Sequence, residues 1–337
     1  MPLNLPVRPR DVHEQHRVST PLELLVDLAF VVGVAQVAAS QHHALAEGHV
    51  ATALGAFPTA FFAIWWAWMN FTWFASAYDN DDVPYRVAAL VQIAGVLVIA
   101  AGVPRAFDHH DFAVVTIGYG ITRLALISQW LRVGGSAAQR TTARRYAAGL
   151  AIVQVGWFGA LALPASAYFV AFFVLVAAEL AVPRLAERDA STPWHPGHIA
   201  ERYRLFTLIV LGESMLAPTL AVQAGVDNGG PIGDLIQISI GGLLTVFGLW
   251  WLYFDHDAEA MFDQAMGADD VSRPPAAAKL LPVLAASAPL RRSPLLRRLP
   301  TPGSGRGGWC SPGATGTTWS SGQQPPSAPA WPSRSST

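Results

Sequence analysis

A carboxylate inside a long apolar run is the strongest chemical feature of this sequence. Glu213 is the ninth residue of the hydrophobic stretch 205–222, which is long enough to cross a bilayer. A carboxylate at that depth costs roughly 2.5–3.5 kcal/mol on insertion scales, so it usually has a partner or a function. Pro218 cannot donate to the carbonyl of Ser214, which predicts a kinked helix and a free acceptor beside the carboxylate.

Arg123 is a second ionisable residue near the middle of an apolar run, the twelfth residue of 112–131. Pairing Arg123 with Glu213 would allow both charges to be buried in the membrane. The pair predicts either a proton- or ion-coupled site, with Ser214 beside it, or a salt bridge that only fixes the helix register. The sequence leaves both interpretations open.

Glu23 and Asp27 are spaced four residues apart, which places them on one face of a helix near its start. The functional hypothesis is an entry pair for a proton or a cation. The alternative, favoured for Glu23, is a helix-terminal charge stabilised by the macrodipole, which leaves only Asp27 to explain. These two residues complete the set of candidate substrate- or ion-binding positions, after Glu213, Arg123 and Ser214.

Metal binding and known catalytic motifs have little support. His195, His198 and Glu201 have helical ligand spacing, but Pro196 and Gly197 are expected to interrupt the helix, so the three are a weak metal candidate. The sequence contains no phosphate-binding loop, no HExxH and no GxSxG, and no cofactor is predicted. The acidic run 79–82 is expected to be a solvated loop and helix cap that neutralises nearby arginines.

Composition places the chain in a membrane. Hydrophobic residues make up 52 % and charged residues only 13 %, whereas soluble domains carry about 25 % charged residues. The net charge of −1 gives no indication of a nucleic-acid partner. The expected partners are membrane lipids and a small solute or ion, and a homo-oligomer is an open alternative.

Eight apolar stretches recur along the chain, each long enough for a hydrocarbon core of about 30 Å. They predict an all-α polytopic membrane bundle over residues 21–256, between a polar segment 1–20 and a tail 257–337. With the N-terminus inside, twelve arginines fall on inside segments and only Arg105 falls on an outside loop. Gln36, Gln92, Gln129 and Gln154 would supply polar lining or interhelical hydrogen bonds. The predicted spans are 22–40, 56–77, 87–103, 112–131, 146–163, 165–182, 205–222 and 235–254.

Several motifs together resemble one bacterial family. ELLVDLAF near the N-terminus is followed by WWAWMNFTWF, GVPRAF, TPWHP and HIAERYRLFTLIVLGES in that order. In these motifs, over about residues 15–255, the chain is similar to the bacterial low temperature requirement A proteins. The resemblance implies a multi-pass protein of the bacterial inner membrane, linked to cold growth, with about ten spans in an intact relative. It implies no reaction or substrate.

The tail changes character near residue 271. From Val271 onward there is no acidic residue, and eight residues are basic. One interpretation is a disordered cytoplasmic extension. Another is a frameshift that truncates the family sequence, because codons for residues 313–332, shifted by one frame, can encode an apolar helix.

The leading functional hypothesis is a transport or permeation protein for a small solute or ion, with Glu213 as an intramembrane carboxylate. Two hypotheses from other classes stay open: an intramembrane enzyme that acts on lipid, and a structural or assembly factor linked to cold growth. The absence of catalytic motifs makes an enzyme the less favoured of these.

The arginine distribution yields a topology prediction with the N-terminus in the cytoplasm. Reporter fusions after Gly48, Asp108, Ala165 and Asp227 are expected to report an external location, because each follows an odd number of crossings. Fusions after Arg86 and Arg188 serve as internal controls. An internal result at any of the four external positions would contradict the eight-span topology.

Overall fold

The computed structural model describes residues 7–10 and 18–255, and within them the chain is helical and contains no β-strand. The predicted all-α fold is therefore confirmed. Both predictions for the tail fall on residues outside this described part. The helices of the described part are α1 Pro21–Ala46, α2 Val50–Tyr78, α3 Val83–His109, α4 Ala113–Leu131, α5 Ala137–Ala160, α6 Ala165–Ala186, α7 Pro196–Ser214, α8 Leu216–Asp227 and α9 Ile232–Phe254.

Most of these helices are apolar enough to span a membrane. Seven stretches of the described residues meet the length and hydropathy that a crossing needs, with α7 and α8 counted as one. The exception is α5, which begins nine residues before the predicted span 146–163 and carries Arg140, Arg144 and Arg145 in its first turns. Its early start is fixed by a capping box, in which the Ser136 hydroxyl accepts from the Gln139 N–H at 3.2 Å. The crossing by α5 stays a prediction.

Glycines allow α3 and α4 to approach closely. A Cβ atom added at Gly118 would lie 2.6 Å from the backbone nitrogen of Ile99, and one at Gly95 would lie 2.9 Å from the Gly118 carbonyl oxygen. Small residues at helix crossings are typical of membrane bundles, where close packing replaces the hydrophobic effect. The position of α4, and hence of Arg123, depends on this contact.

Contacts bring the starts of α1, α3, α5 and α7 to one end of the bundle. Ser19 donates to Glu201, Arg132 pairs with Asp82, and Thr142 donates to the Ala190 carbonyl. Most of the described arginines lie at or near this end, which we call the arginine-rich end.

The α2–α3 connection lies at the arginine-rich end. Asp82 caps α3 by accepting from the Tyr85 N–H at 2.9 Å and pairs with Arg132. Asp81 pairs with Arg86 at 2.6 Å, and this hydrogen bonding lowers the pKa of Asp81. The predicted cap and neutralised arginines are confirmed, but Asp82 is buried and not solvated.

A break separates α7 from α8 at Met215, whose N–H donates to the Gly212 carbonyl at 3.1 Å, three residues back. The break lies three residues before Pro218, as expected for a residue that cannot continue the hydrogen-bond ladder. The break divides the predicted single span 205–222 between two helices, and a role for Pro218 in producing it stays a prediction. The first of them begins nine residues earlier than the predicted span, at Pro196.

The close contact of α3 and α4 yields a stability prediction. Gly118→Ala is expected to lower the free energy of unfolding by about 1–3 kcal/mol, because the new methyl group meets backbone atoms that cannot move away. Thermal unfolding in detergent measures the change. Gly55→Ala in α2 is the matched control, since nothing lies within 4 Å of its added Cβ. Equal stability of the two variants would contradict the packing argument.

Candidate functional site

Two carboxylates, a histidine and an arginine form a fully buried cluster between α1 and α7. Glu23 and Asp27 lie four residues apart on α1, His198 and Arg202 lie four apart on α7, and all four side chains are 0 % exposed. The equal spacing places each pair on one helix face, so the two faces can meet. We call Glu23, Asp27, His198 and Arg202 the α1–α7 cluster.

Short contacts hold this cluster together. The Glu23 carboxylate lies 3.2 Å from His198 Nε2 and 3.2 Å from Arg202 Nη1. Arg202 Nη2 donates to Asp27 Oδ1 at 2.6 Å. Asp27 Oδ1 also accepts from the indole Nε1 of Trp68, on α2, at 2.7 Å. The other oxygen of Asp27, Oδ2, is buried without a hydrogen-bond partner.

Glu23 has two roles at once. Its carboxylate accepts from the Thr20 N–H at 2.7 Å, while the Thr20 hydroxyl accepts from the Glu23 N–H at 3.3 Å. This capping box begins α1, as expected for an acidic residue in a first helical turn. Its ion pair with Arg202 links the same side chain to α7. The favoured interpretation of Glu23 as only a helix-terminal charge describes half of its contacts.

A second buried cluster joins α2, α4, α5 and α6 around one carboxylate, Glu179. Arg123 Nη2 contacts Glu179 Oε2 at 3.0 Å, and Trp66 Nε1 donates to the same oxygen at 3.0 Å. Glu179 Oε1 accepts from the Tyr119 hydroxyl at 2.7 Å and from Trp157 Nε1 at 3.2 Å. Arg123 also contacts the Tyr119 hydroxyl. We call these five residues the α4–α6 cluster.

Helix α2 connects the two clusters through its tryptophans. Trp66 donates to Glu179 in the α4–α6 cluster, and Trp68 donates to Asp27 in the α1–α7 cluster. Residues two positions apart on an α-helix differ in direction by about 200°, so the indoles of Trp66 and Trp68 lie on opposite faces of α2. The run WWAWMN therefore supplies one indole donor to each cluster.

The predicted pairing of Arg123 with Glu213 is wrong, because Arg123 pairs with Glu179. Glu213 lies near the end of α7, which packs against α1 and α2, and its side chain is half-buried. The Ser214 hydroxyl donates to the Val210 carbonyl of its own helix at 2.9 Å. A binding role for Glu213 and Ser214 stays a prediction, but Arg123, the partner expected for Glu213, pairs with Glu179 instead.

The weak metal candidate is not assembled. His195 is the N-cap of α7, and its Nδ1 accepts from the His198 N–H at 3.1 Å. Glu201 accepts from the Ser19 N–H at 3.3 Å. Pro196 begins α7 and does not interrupt it, because its fixed φ and missing N–H suit a first helical position. No group of three or more potential ligands forms among the described residues.

A cleft of about 300 Å³, open solvent included, leads to the α4–α6 cluster. It lies between α2, α4, α5 and α6, towards the end of the bundle opposite the arginine-rich end. Tyr119 and Trp157 belong both to its wall and to the hydrogen-bonded shell of Glu179. The complete lining is Thr59, Phe62, Ala63, Val115, Thr116, Tyr119, Trp157 and Tyr168.

Sequence reasoning missed Glu179 and the roles of His198 and Arg202. Glu179 is a carboxylate inside the predicted span 165–182, but it is the fifteenth of 18 residues, so its depth draws less attention than that of Glu213, the ninth of 18. Arg202 precedes the predicted span 205–222, so the sequence pattern places it outside the membrane-spanning residues. Glu23 and Asp27 have the same four-residue spacing as His198 and Arg202. This match is the sequence feature that could have indicated the α1–α7 cluster.

Comparison with known proteins identifies the family. A sequence model described as bacterial low temperature requirement A protein (LtrA) matches residues 18–280. The chain belongs to this family. It is 28 % identical over 279 residues to a protein of Rhizobium meliloti (strain 1021) that is named as uncharacterised. The match covers 80 % of this chain and 65 % of that relative. No solved structure matches the chain.

The Arg123–Glu179 pair predicts that removing the charge of Glu179 lowers stability far more than removing the charge of Glu213. Glu179→Gln is expected to lower the free energy of unfolding by about 3–5 kcal/mol, because it leaves the buried arginine without a counter-charge. The double variant Arg123→Gln, Glu179→Gln should be more stable than Glu179→Gln alone. Denaturation in detergent measures all of these variants.

Glu213→Gln is the matched control, expected to change stability by about 0.5 kcal/mol or less since Glu213 is half-buried and lies apart from Arg123. A loss at Glu213 as large as the loss at Glu179 would contradict the observed pairing.

Proposed function

We propose that this LtrA-family protein is a proton-coupled membrane transport protein for a small solute, with the α1–α7 cluster as its proton site. The observation that carries the proposal is the charge balance of that cluster. Glu23 and Asp27 contribute two negative charges, and Arg202 contributes one positive charge, all at 0 % exposure. One more positive charge is needed for neutrality.

A proton supplies this charge with little rearrangement. His198 Nε2 already lies 3.2 Å from Glu23, and a histidine is the side chain whose charge changes most readily near neutral pH. Asp27 Oδ2, buried without a hydrogen-bond partner, is a second place where a proton breaks no existing hydrogen bond. Net charge buried in an apolar bundle is unfavourable, so the cluster favours states that hold the proton.

The proposed orientation supports exchange of this proton with the cell interior. The arginine bias favours a bacterial inner membrane with the arginine-rich end in the cytoplasm. Glu23 and His198 lie in the first turns of α1 and α7, at that end. The intramembrane ionisable residues of pumps and transporters commonly act as proton relays. Equal numbers of opposite charges without a histidine would suffice to fix the helix register.

The test is solute-driven proton movement in proteoliposomes that contain the full chain and a trapped pH-sensitive dye. Sugars, amino acids, amides and polyols are added class by class, and one class is expected to acidify the lumen. Asp27→Asn should abolish the acidification and keep the fold. The asparagine oxygen can still accept from Trp68 and Arg202, while the cluster becomes neutral without a proton.

Asp111→Asn is the control, because Asp111 is an ion-paired carboxylate on the α3–α4 connection, with Arg105 at 2.7 Å. It should leave proton movement unchanged. Acidification by Asp27→Asn at the wild-type rate, or no proton movement with any solute class, would contradict the proposal.

A further inference from the structure

We propose that the cleft and the buried polar groups behind it form the solute site, and that its ligand is a small uncharged molecule with both hydrogen-bond donors and acceptors, an amide or a polyol. The role of this ligand as the transported solute rests on the proposed function above. The binding of this ligand does not depend on the proposed function, and a separate experiment tests it.

The first support is a pair of buried side chains with unused hydrogen-bonding groups. Arg123 is 1 % exposed, and its Nε and Nη1 have no hydrogen-bond partner. Gln154 is 6 % exposed, and both its Oε1 and its Nε2 have none. Buried polar groups are nearly always paired in folded proteins, so groups left unpaired indicate a place for a ligand or for water.

These groups belong to one region. The Gln154 Nε2 atom lies 3.4 Å from the position of a Cβ atom at Gly120. Gly120 follows Tyr119 in sequence and precedes Arg123 by three residues, about one helical turn. Gln154 also precedes Trp157 by one turn of α5. The carboxamide is therefore placed beside the α4 turn that carries Tyr119 and Arg123.

The cleft approaches this region through Tyr119 and Trp157. Both side chains line the cleft and hydrogen-bond to Glu179 Oε1, at 2.7 and 3.2 Å. Thr59, Thr116 and Tyr168 add hydroxyl groups to the lining. The space within the cleft that admits the centre of a water molecule is only about 20 Å³, so a ligand can have few heavy atoms and must keep part of itself in the open mouth.

Charge balance decides the chemical class of the ligand. Arg123 and Glu179 already neutralise each other, so a charged ligand would leave a net charge buried in the bundle. Glu179 accepts from Trp66, Tyr119, Trp157 and Arg123, so its oxygens are engaged and do not favour a cation. The Arg123 nitrogens need an acceptor, and the Gln154 carboxamide needs one acceptor and one donor.

The experiment measures binding to the purified full chain in detergent by saturation-transfer NMR. The probes are propanamide and 1,2-propanediol, and the charged controls of similar size are propanoate and propylammonium. Both neutral probes are expected to bind. Both charged compounds are expected to bind at least about tenfold more weakly, because losing one good hydrogen bond or burying a net charge costs about that much affinity.

Gln154→Leu is expected to weaken binding of the neutral probes by about tenfold or more and to fold normally, because it removes groups that have no protein partner. Thr116→Val, on the cleft wall, is a second variant expected to weaken binding. Gln92→Leu is the matched control, since Gln92 is equally buried and donates to Gln129 at 3.0 Å. It should lower the unfolding temperature and leave binding unchanged.

Binding unaffected by Gln154→Leu and Thr116→Val together would overturn the inference, and so would tighter binding of either charged compound than of the neutral probes. Absence of binding by all four would show that only water occupies the region, and would overturn it too. Asp27→Asn should bind the neutral probes like the wild type. Binding without proton coupling would therefore contradict the proposed function alone.

Discussion

The cost of leaving an ionised group without a counter-charge in an apolar interior governs this bundle. Arg123 is held against Glu179, and Arg202 is held against both Glu23 and Asp27. Each contact joins helices that are distant in sequence, so the charge pairs define which helices are neighbours. Hydrophobic burial alone does not supply that information, because in a bilayer the surrounding lipid is as apolar as the helix surfaces. The buried charges, together with the close glycine packing of α3 on α4, therefore specify helix placement.

The tryptophans of α2 complete both clusters in a way that charged residues could not. An indole N–H can only donate, and it adds no charge to the interior. Trp66 and Trp68 therefore satisfy carboxylate oxygens without changing the charge balance on either side of the helix. Their aromatic surfaces also pack, as in the stacking of Trp68 on Phe206 of α7, with ring centroids 4.3 Å apart. One short stretch of α2 supplies donors and packing surface to both halves of the bundle.

The helical architecture could be predicted from the sequence, and the partners of the charged residues could not. Apolar runs have a length that depends on the bilayer alone, so their number and approximate positions are visible without tertiary information. A buried charge reveals that it needs a partner, but not which one. For Arg123, counting depth along the predicted spans favours Glu213, the ninth of 18 residues, over Glu179, the fifteenth of 18, and so selects the wrong partner. Arg202 was missed because α7 begins well before its apolar run, at a proline that signals a helix start.

The two clusters differ in what a proton would do to them. Glu179 accepts from four side chains on both of its oxygens, so protonating it would disrupt a saturated shell and strand Arg123. In the α1–α7 cluster, a proton on Asp27 Oδ2 leaves Oδ1 able to accept from Trp68, and the contact of α1 with α2 survives. The interaction that weakens is the attraction of Asp27 for Arg202, which belongs to α7. Helix α7 continues into the break at Met215, where the hydrogen-bond ladder is already interrupted. Under the proposed proton chemistry, the change in charge therefore acts on α7 and leaves the α1–α2 and α4–α6 contacts in place.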